Sequence, residues 1–595
     1  MSEREDRVRA KPQFPEFDRR FFESREDFSV IGSGSLGGKA MGLARVKQML
    51  DGEWRAREHP GFEVGIPRLA VLATDSFDRF MDENKLSEVV RSRPSDARIA
   101  HAFQSGHLPA EIVGDLRGLI ERVHQPLAVR SSSLLEDALG RPFAGVYATK
   151  MIPNNQLDAE SRFHRLTEAI KFVYASTFFA GARDYLAATG DAPEEKMAVI
   201  VQEVVGLRHG DRFYPDVSGV ARSWNFYATG HARPEDGTVS LALGLGKTIV
   251  DGGVVWSYSP AQPRSIPPFG SARDLLQETQ SRFWAVNMGK PPAYDPVTET
   301  EYLMQGELPE AEEDGVLRLL ASTYDPGSDR INIGTGARGP RVLTFAPLLV
   351  LEEIPLNDAI RELLAIAERT LGNKVEIEFA ATFQPGTARA ARIGFLQARP
   401  LLVSSDVVEV SRETLAGPDV VVASESVLGN GIVTGLTDVI YVRPERFEPR
   451  WSRRVAEELE TMNREITAAG RDYVLIGFGR WGSSEPWLGV PVRWAQISGA
   501  RAIVEASLPQ ASADPSQASH FFHNVTSAGV CYFTVRHTGA YGVDWGWLDA
   551  QPSVAEGEFV RHVRLGVSLR IEVDGRSGRG VIRRGLTGTE EGRGR

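Results

Sequence analysis

The sequence holds a single cysteine, Cys531, in 595 residues. A disulfide framework within the chain is therefore excluded, and so is a cysteine-based zinc site. Cys531 lies between Val530 and the pair Tyr532 and Phe533, a setting that predicts a buried small hydrophobe. Long apolar runs are missing as well: no stretch approaches the roughly 18 apolar residues of a membrane span. The N-terminus, MSEREDRVRAKPQ, is charged and lacks the apolar core of a secretory signal. These absences predict a cytoplasmic chain with no membrane partner, in which the acceptor-like triplet Asn524-Val525-Thr526 is accidental. An excess of positive charge is also lacking. The 68 Lys and Arg against 79 Asp and Glu leave a net charge of −11, which argues against a broad nucleic-acid surface. A polyphosphate site stays open, because it needs only a few well-placed cations.

What is present is ordinary globular material, 42% hydrophobic and 25% charged, enough for about four structural units at roughly 150 residues each. Residues 1–27 read as a charged arm. From residue 28, short β-branched runs such as Leu127-Ala128-Val129 and Met197 to Val201 alternate with helical spacing, as in Leu166 to Ala180. The alternation predicts an α+β fold. Within a first domain spanning 28–402, residues about 258–340 carry Pro-rich and acidic pieces and read as an insertion, partly loop. A linker is expected at 403–419, a second domain at 420–585 and a disordered tail at 586–595. In the second domain the charged stretch Arg450 to Ala469 predicts a helix starting just after Pro449.

Several small-residue motifs point to phosphate. Residues 32–43 read GSGSLGGKAMGL. A Walker A loop fails there, because Ser33 replaces its first glycine and Ala40 follows Lys39. A dinucleotide fingerprint (Gly32, Gly34, Gly37) and a flexible loop whose Lys39 reaches a phosphate both remain, beside an ordinary glycine-rich turn. Residues 127–149 place Arg130 before a run of serines, a combination suited to phosphate, with Glu136 or Asp137 as alternative partners for the arginine. Gly145 and Thr149 mark a second loop, FAGVYAT, and VSGV (217–220) and LGLGKTIVDGG (243–253) are two more. In MAVIVQEVV (197–205), Gln202 and Glu203 end a buried-type strand and suit an adenine edge and a ribose. In VEIEFA…IGFLQARP, strand alternation sets Glu376 and Glu378 on one face and Gln397 and Arg399 on another strand's face. That donor set suits Mg²⁺ on a polyphosphate, with Arg399 against the transferring phosphate; a cross-strand Glu–Arg pair is the alternative.

In order and spacing these motifs resemble the nucleotide-binding domain of phosphoenolpyruvate synthase and pyruvate phosphate dikinase over residues 28–402. The resemblance implies a two-lobed ATP-grasp domain with ATP between the lobes. It implies Lys39 and Arg130 on phosphates, Gly145 and Thr149 in the phosphate loop, and Gln202 and Glu203 on the adenosine. Glu378 and Gln397, with Glu376, would hold the metal, and Arg399 would contact the γ-phosphate region. Two departures stand out: Glu376 replaces the usual Asp, and Lys247 stands where many members have Glu.

Family members pass the phosphoryl group through a histidine on a swivelling domain. Their string TSHAAIVARELGIPAVV does not occur here, but ASHFFHNVTSAGVCYFTV (518–535) has a similar layout. Ala502 to Glu505 precede it, and Val573-Asp574-Gly575 follow like the closing hairpin. Residues 420–585 are therefore expected to be a divergent swivelling, phosphohistidine-like α/β domain, with His520 as carrier and His523 as partner or substitute; two packed histidines are the alternative. A histidine at a helix N-terminus would hold a phosphoryl group where free N–H groups favour it. The string GFGRWGSSEPWLG (477–489) has no family counterpart; Arg480, Trp481, Ser483 and Ser484 are weighed there as acceptor or phosphate contacts against a Trp-rich packing loop. A pyruvate-binding TIM barrel takes about 250 residues, more than follows residue 585, so the chain by itself is not expected to make phosphoenolpyruvate from pyruvate. The expected function is Mg-ATP-dependent phosphotransfer to an unidentified acceptor. A non-catalytic ATP-binding sensor is the alternative, and an ATP-grasp ligase has only the fold in its favour.

Overall fold

The computed structural model describes residues 15–18, 27–54, 61–133, 136, 146–188, 196–225, 233–251, 253–264, 272, 275–276, 279–384, 390–401, 408–483, 487–508, 525, 530–575 and 577–585. The fold is mixed α and β, with its strands gathered into separate sheets. A five-stranded sheet runs in the order Phe28–Ile31, Leu69–Leu72, Met197–Glu203, Leu127–Ser133, Thr149–Ile152. Alternation along its strands feeds two cores. Val199 and Val201 pack with Phe80, Phe103, Leu166 and Ile170 on one side, whereas Ala198 and Ile200 pack with Leu43 on the other. Burial on both faces is why these strands read as continuous apolar runs. Only Phe28–Ile31 and Leu69–Leu72 run parallel; the remaining pairs are antiparallel. That pattern is not the parallel, doubly wound sheet a dinucleotide fingerprint requires, so that reading of the glycine loop falls.

The helix expected at Leu166 to Ala180 spans Ala159–Ser176. It starts earlier because Asp158 caps it, accepting the Ser161 N–H at 2.7 Å. A six-stranded sheet follows the order Trp256–Tyr258, Thr238–Leu243, Val217–Arg222, Val375–Phe383, Ala391–Pro400, Phe62–Gly65. VSGV is thus the start of an interior strand, not a loop. Gly219 is required there by the Phe379 ring, whose Cζ would lie 2.1 Å from an added Cβ.

The described residues of 258–340 supply two of the four strands of a sheet in the order Leu303–Glu307, Arg282–Asn287, Arg212–Tyr214, Leu207–His209, and two of the three of another in the order Arg330–Ile333, Ala321–Asp325, Arg341–Leu343. One acidic, proline-containing piece of this region forms a helix, Leu308–Glu313. Pro309 sits in its first turn and the Glu307 N–H donates to Glu310 Oε2 at 2.8 Å.

From Val420 the chain forms a nine-stranded sheet. Its strands Gly431–Val442, Tyr473–Phe478, Ala500–Ala506 and Cys531–Val535 are parallel neighbours. Helix Ser452–Ala468 follows the first of them, entered through a 3₁₀ turn at Pro449–Trp451. Cys531 is buried on its strand, and burial pushes its thiol up to about 12. Residues 408–419, expected as linker, are not a loose tether: Val410 and Leu415 pack on Ala423 and Val581. Of the N-terminal arm, residues 15–18 join the first sheet, with the Phe17 N–H donating to Val30 O at 2.8 Å. Among the described residues no helix is long and apolar enough to cross a membrane.

Candidate functional site

A cleft of about 450 Å³ opens between the five- and six-stranded sheets. Lys39, Arg130, Thr149, Gln202, Glu203, Glu378 and Gln397, drawn from widely separated motifs, all line it. Gly145, His520 and His523 lie outside the described residues, as does Ser484.

The glycine loop delivers its lysine and little else. Gly32, Gly34 and Gly37 have φ of +84°, +105° and +73°. The front of the loop docks away from the cleft: Ser33 Oγ donates to Asp75 Oδ2 at 2.9 Å, and the Ser35 N–H donates to Thr74 Oγ1 at 3.0 Å. Helix Gly37–Met49 then begins without a capping side chain of its own N-cap residue, Leu36. Ser132 of the neighbouring strand serves instead, accepting the Ala40 N–H at 3.0 Å and donating to Leu36 O at 2.7 Å. Lys39, in the first turn, is buried and donates to Glu136 Oε1 at 2.8 Å and Ser131 Oγ at 3.3 Å. The Ser133 N–H donates to Glu136 Oε2 at 2.9 Å. The serines read as phosphate contacts are therefore committed to holding the glycine loop, and Glu136 partners Lys39, not Arg130. Gly37 cannot be replaced cheaply, since an added Cβ would lie 1.8 Å from Ser132 O. Gly37→Ala is expected to lower the midpoint of a thermal unfolding scan and weaken nucleotide binding. Gly52→Ala, where a Cβ meets nothing within 4 Å, should leave both unchanged.

Arg130 ties the two sheets together. Its Nη1 donates to Leu396 O at 3.0 Å and Gln202 Oε1 at 3.3 Å, and its Nη2 donates to Gln397 Oε1 at 3.0 Å. Gln202 is buried, and its Nε2 also donates to Pro67 O at 3.4 Å. The N–H groups of Glu203 and Val204 go to Arg68 O and Pro126 O at 2.9 and 2.8 Å. Both backbone donors are therefore spent at the strand end expected to read an adenine edge. Burial raises the Glu203 carboxyl above its ordinary range, against the pull of Arg68 and Arg392. Ala128, Met151, Val205, Leu245 and Leu396 give the cleft an apolar lining suited to a flat ring.

Glu378 and Gln397 face each other across the ladder Val375–Phe383 to Ala391–Pro400. Glu378 Oε1 is buried and has no hydrogen-bond partner among the described residues. Glu376 and Arg399, expected on metal and γ-phosphate, do not line the cleft. They form the next cross-strand pair, where Glu376 Oε1 accepts from Arg399 Nε at 2.7 Å and Nη2, and Oε2 accepts from Arg222 Nε at 2.6 Å. Both oxygens of Glu376 are committed to guanidinium groups, so the metal reading of this residue gives way to the cross-strand ion pair. Burial alone would raise the Glu376 carboxyl, but Arg222 and Arg399 outweigh it and hold the group below its ordinary range. Among the described residues no group of three or more His, Cys, Asp or Glu side chains is arranged to hold a metal ion.

Two cleft residues, Glu299 and Arg493, had no clear signal in the sequence. Glu299 comes from the supposed insertion. It projects into the cleft, within reach of water yet walled by protein, and loss of surrounding solvent raises its carboxyl despite Lys247. Lys247 pairs with Asp251 at 3.0 Å; burial works against its charge, but Asp251 and Glu299 prevail and hold it above the ordinary lysine range. Arg493 comes from beyond Val420. The stretch after strand Tyr473–Phe478 forms a third wall of the cleft through Gly482, Ser483, Pro491, Val492, Arg493 and Trp494. In the same string, Trp481 is fully buried with Nε1 donating to Val504 O at 3.4 Å, which is packing. Arg480 Nη1 donates across to Gly253 O at 3.4 Å, joining the string to the LGLGKTIVDGG loop.

Residues 33–416 match a protein family described as pyruvate phosphate dikinase, AMP/ATP-binding domain. The chain belongs to this family. The cleft is built from residues inside the AMP/ATP-binding domain, apart from its third wall, which lies C-terminal to the matched region. The chain is also 28% identical over 190 residues to "Uncharacterized phosphotransferase YvkC" of Bacillus subtilis (strain 168). That match takes in 32% of this chain and 20% of the relative's length.

Proposed function

We propose that the chain is a Mg-ATP-dependent phosphotransferase of ATP-grasp type that moves a phosphoryl group, through His520, to an acceptor not yet identified. The observation that carries this reading is Arg130, a guanidinium held by both sheets at the centre of a cleft in an AMP/ATP-binding family. In this reading Arg130 and Lys39 hold the phosphates, and Thr149, with Gly145, borders them. The apolar lining takes the adenine, with Gln202 fixing Arg130 and Glu203 facing the ribose. The partnerless Oε1 of Glu378 beside Gln397 fits Mg²⁺, a hard ion that shares its remaining ligands with phosphate and water. When bound, Mg²⁺ would supply charge neutralisation for the polyphosphate. Arg399 acts one row back, holding Glu376.

For the transfer, of dikinase type, a neutral imidazole nitrogen of His520 gives its lone pair to the β-phosphorus of ATP, the bond to the oxygen bridging the α- and β-phosphates breaks, and its electron pair leaves on AMP. The γ-phosphoryl group of the resulting pyrophosphohistidine then passes to water or orthophosphate, which leaves the β-phosphoryl group on the histidine for the acceptor. Chain topology supports this role. Strands Tyr473–Phe478 and Ala500–Ala506 are parallel, with Phe478 opposite Ala506. The stretch toward His520 thus leaves the sheet at the same end as the stretch that walls the cleft.

Incubating the protein with Mg²⁺ and ATP labelled at the β- or γ-phosphate tests the proposal. Acid-labile, alkali-stable label from the β position is expected on the wild type and not on His520→Ala. Label surviving in the variant moves the carrier to another residue, with His523 first in line. Bound ATP without any protein label sinks the phosphohistidine route and favours a sensor or direct transfer.

A further inference from the structure

Among the described residues four cations line the cleft, and they are not equivalent. Lys39 is neutralised by Glu136 and Lys247 by Asp251. Arg130 bonds to two amide oxygens and a carbonyl, leaving its positive charge uncompensated by any of them. Arg493 has no ion-pair partner among the described residues, although it stands in a cleft that also holds Glu203, Glu299 and Glu378. An unpaired guanidinium at the wall of a concave site is placed for a planar anion, because its fixed fork matches phosphate oxygens.

Its position along the cleft is also defined. Arg493 Nη1 lies 3.3 Å from where a Cβ would stand on Gly181. Gly181 opens helix Ala180–Ala188, which follows helix Ala159–Ser176 closely. Ser176 Oγ accepts the Ala148 N–H at 3.2 Å and so holds the segment leading into Thr149. Arg493 therefore stands near the start of the helix that follows the Ser176 support of the Val146–Thr149 stretch. Trp494, next in sequence, is buried in one apolar cluster with Ala182 and Phe172, which fixes the backbone that presents the arginine.

We propose that Arg493, contributed by the C-terminal domain, is a binding residue for the phosphate chain of the nucleotide, and that the nucleotide site is complete only with this third wall in place. The proposal rests on the nucleotide reading of the cleft. It assigns the C-terminal domain a direct share in substrate affinity, separate from any role of its histidines.

The test uses the full chain, with ATP and adenosine titrated separately against wild type, Arg493→Ala and Arg493→Lys. ATP affinity is expected to fall on the order of tenfold in Arg493→Ala, the size of one charge-assisted bond, with Arg493→Lys in between. Adenosine affinity should not change, and added salt should narrow the gap between wild type and Arg493→Ala. Equal loss for ATP and adenosine would mean a packing role, and unchanged ATP affinity would mean no role; either overturns the proposal. A wild type that binds adenosine and ATP equally well also overturns it, and one that binds neither overturns the nucleotide reading beneath it.

Discussion

Arg130→Ala is expected to cut ATP-dependent turnover by roughly a hundredfold or more, the scale seen when one preorganised donor is removed from a phosphoryl- or acyl-transfer site. The side chain has two jobs that fail together. Its positive charge faces the cleft, and its two terminal nitrogens bridge Gln202 of one sheet to Leu396 and Gln397 of the other. Arg130→Lys keeps the charge but offers a single ammonium in place of a planar fork, so it cannot serve all three acceptors in the same geometry. Its turnover should remain at least tenfold below wild type. Rates of ATP consumption, set beside ATP affinity measured by titration, separate the jobs. A loss in affinity alone would assign Arg130 to binding. A lysine variant as active as wild type would show that charge, not the bridge, is what the site needs.

Glu376→Ala should be the most damaging change to stability. The carboxylate lies between Arg222 and Arg399, and all three side chains are buried. Removing it leaves two guanidinium groups in the interior without their shared counter-charge, at a cost of about 3–5 kcal/mol. The sign of the pH dependence follows from the depressed carboxyl. Its contribution is fully present above the unfolded-state value of about 4.3 and is lost as pH falls through the lower folded-state value. Denaturant unfolding at neutral pH should therefore separate wild type and Glu376→Ala widely, and the gap should shrink in acid. Coincident unfolding curves at neutral pH would show that the triad is no more than a surface pair in its energetics. Arg222 sits on the adjoining strand, opposite Glu376, and takes the second carboxylate oxygen.

Much of the lining of the candidate cleft was legible because its residues sit in small-residue loops and at strand ends with strong local signatures. Lys39, Arg130 and Gln202 come together across sheet pairings that the strand periods foreshadow. The errors have a common origin. A polar side chain in a motif can face a ligand or brace the loop that carries it, and sequence does not distinguish the two. The hydroxyls of Ser131, Ser132 and Ser133 brace, as do those of Ser33 and Ser35. Glu376 and Arg399 have the alternation expected of cleft residues, but register sets them opposite one another and next to Arg222, where ion pairing wins. The acidic residues around Pro309 form a helix that the sequence does not announce, because helix-start chemistry and loop chemistry use the same residue types. Glu299 and Arg493 carry no local signal at all. Their roles arise from long-range packing alone.

The split ownership of the cleft has a practical consequence for anyone cutting the gene. A fragment ending at residue 416, where the family match stops, would omit the stretch that supplies Ser483, Arg493 and Trp494. It would also strip away half of an apolar cluster that unites Ala182 with Trp494 and Ile497. Such a fragment should be sticky in solution and leaky toward solvent at the phosphate end. Good recovery of soluble, nucleotide-binding material then belongs to boundaries drawn past residue 585, not to the edges of the family match.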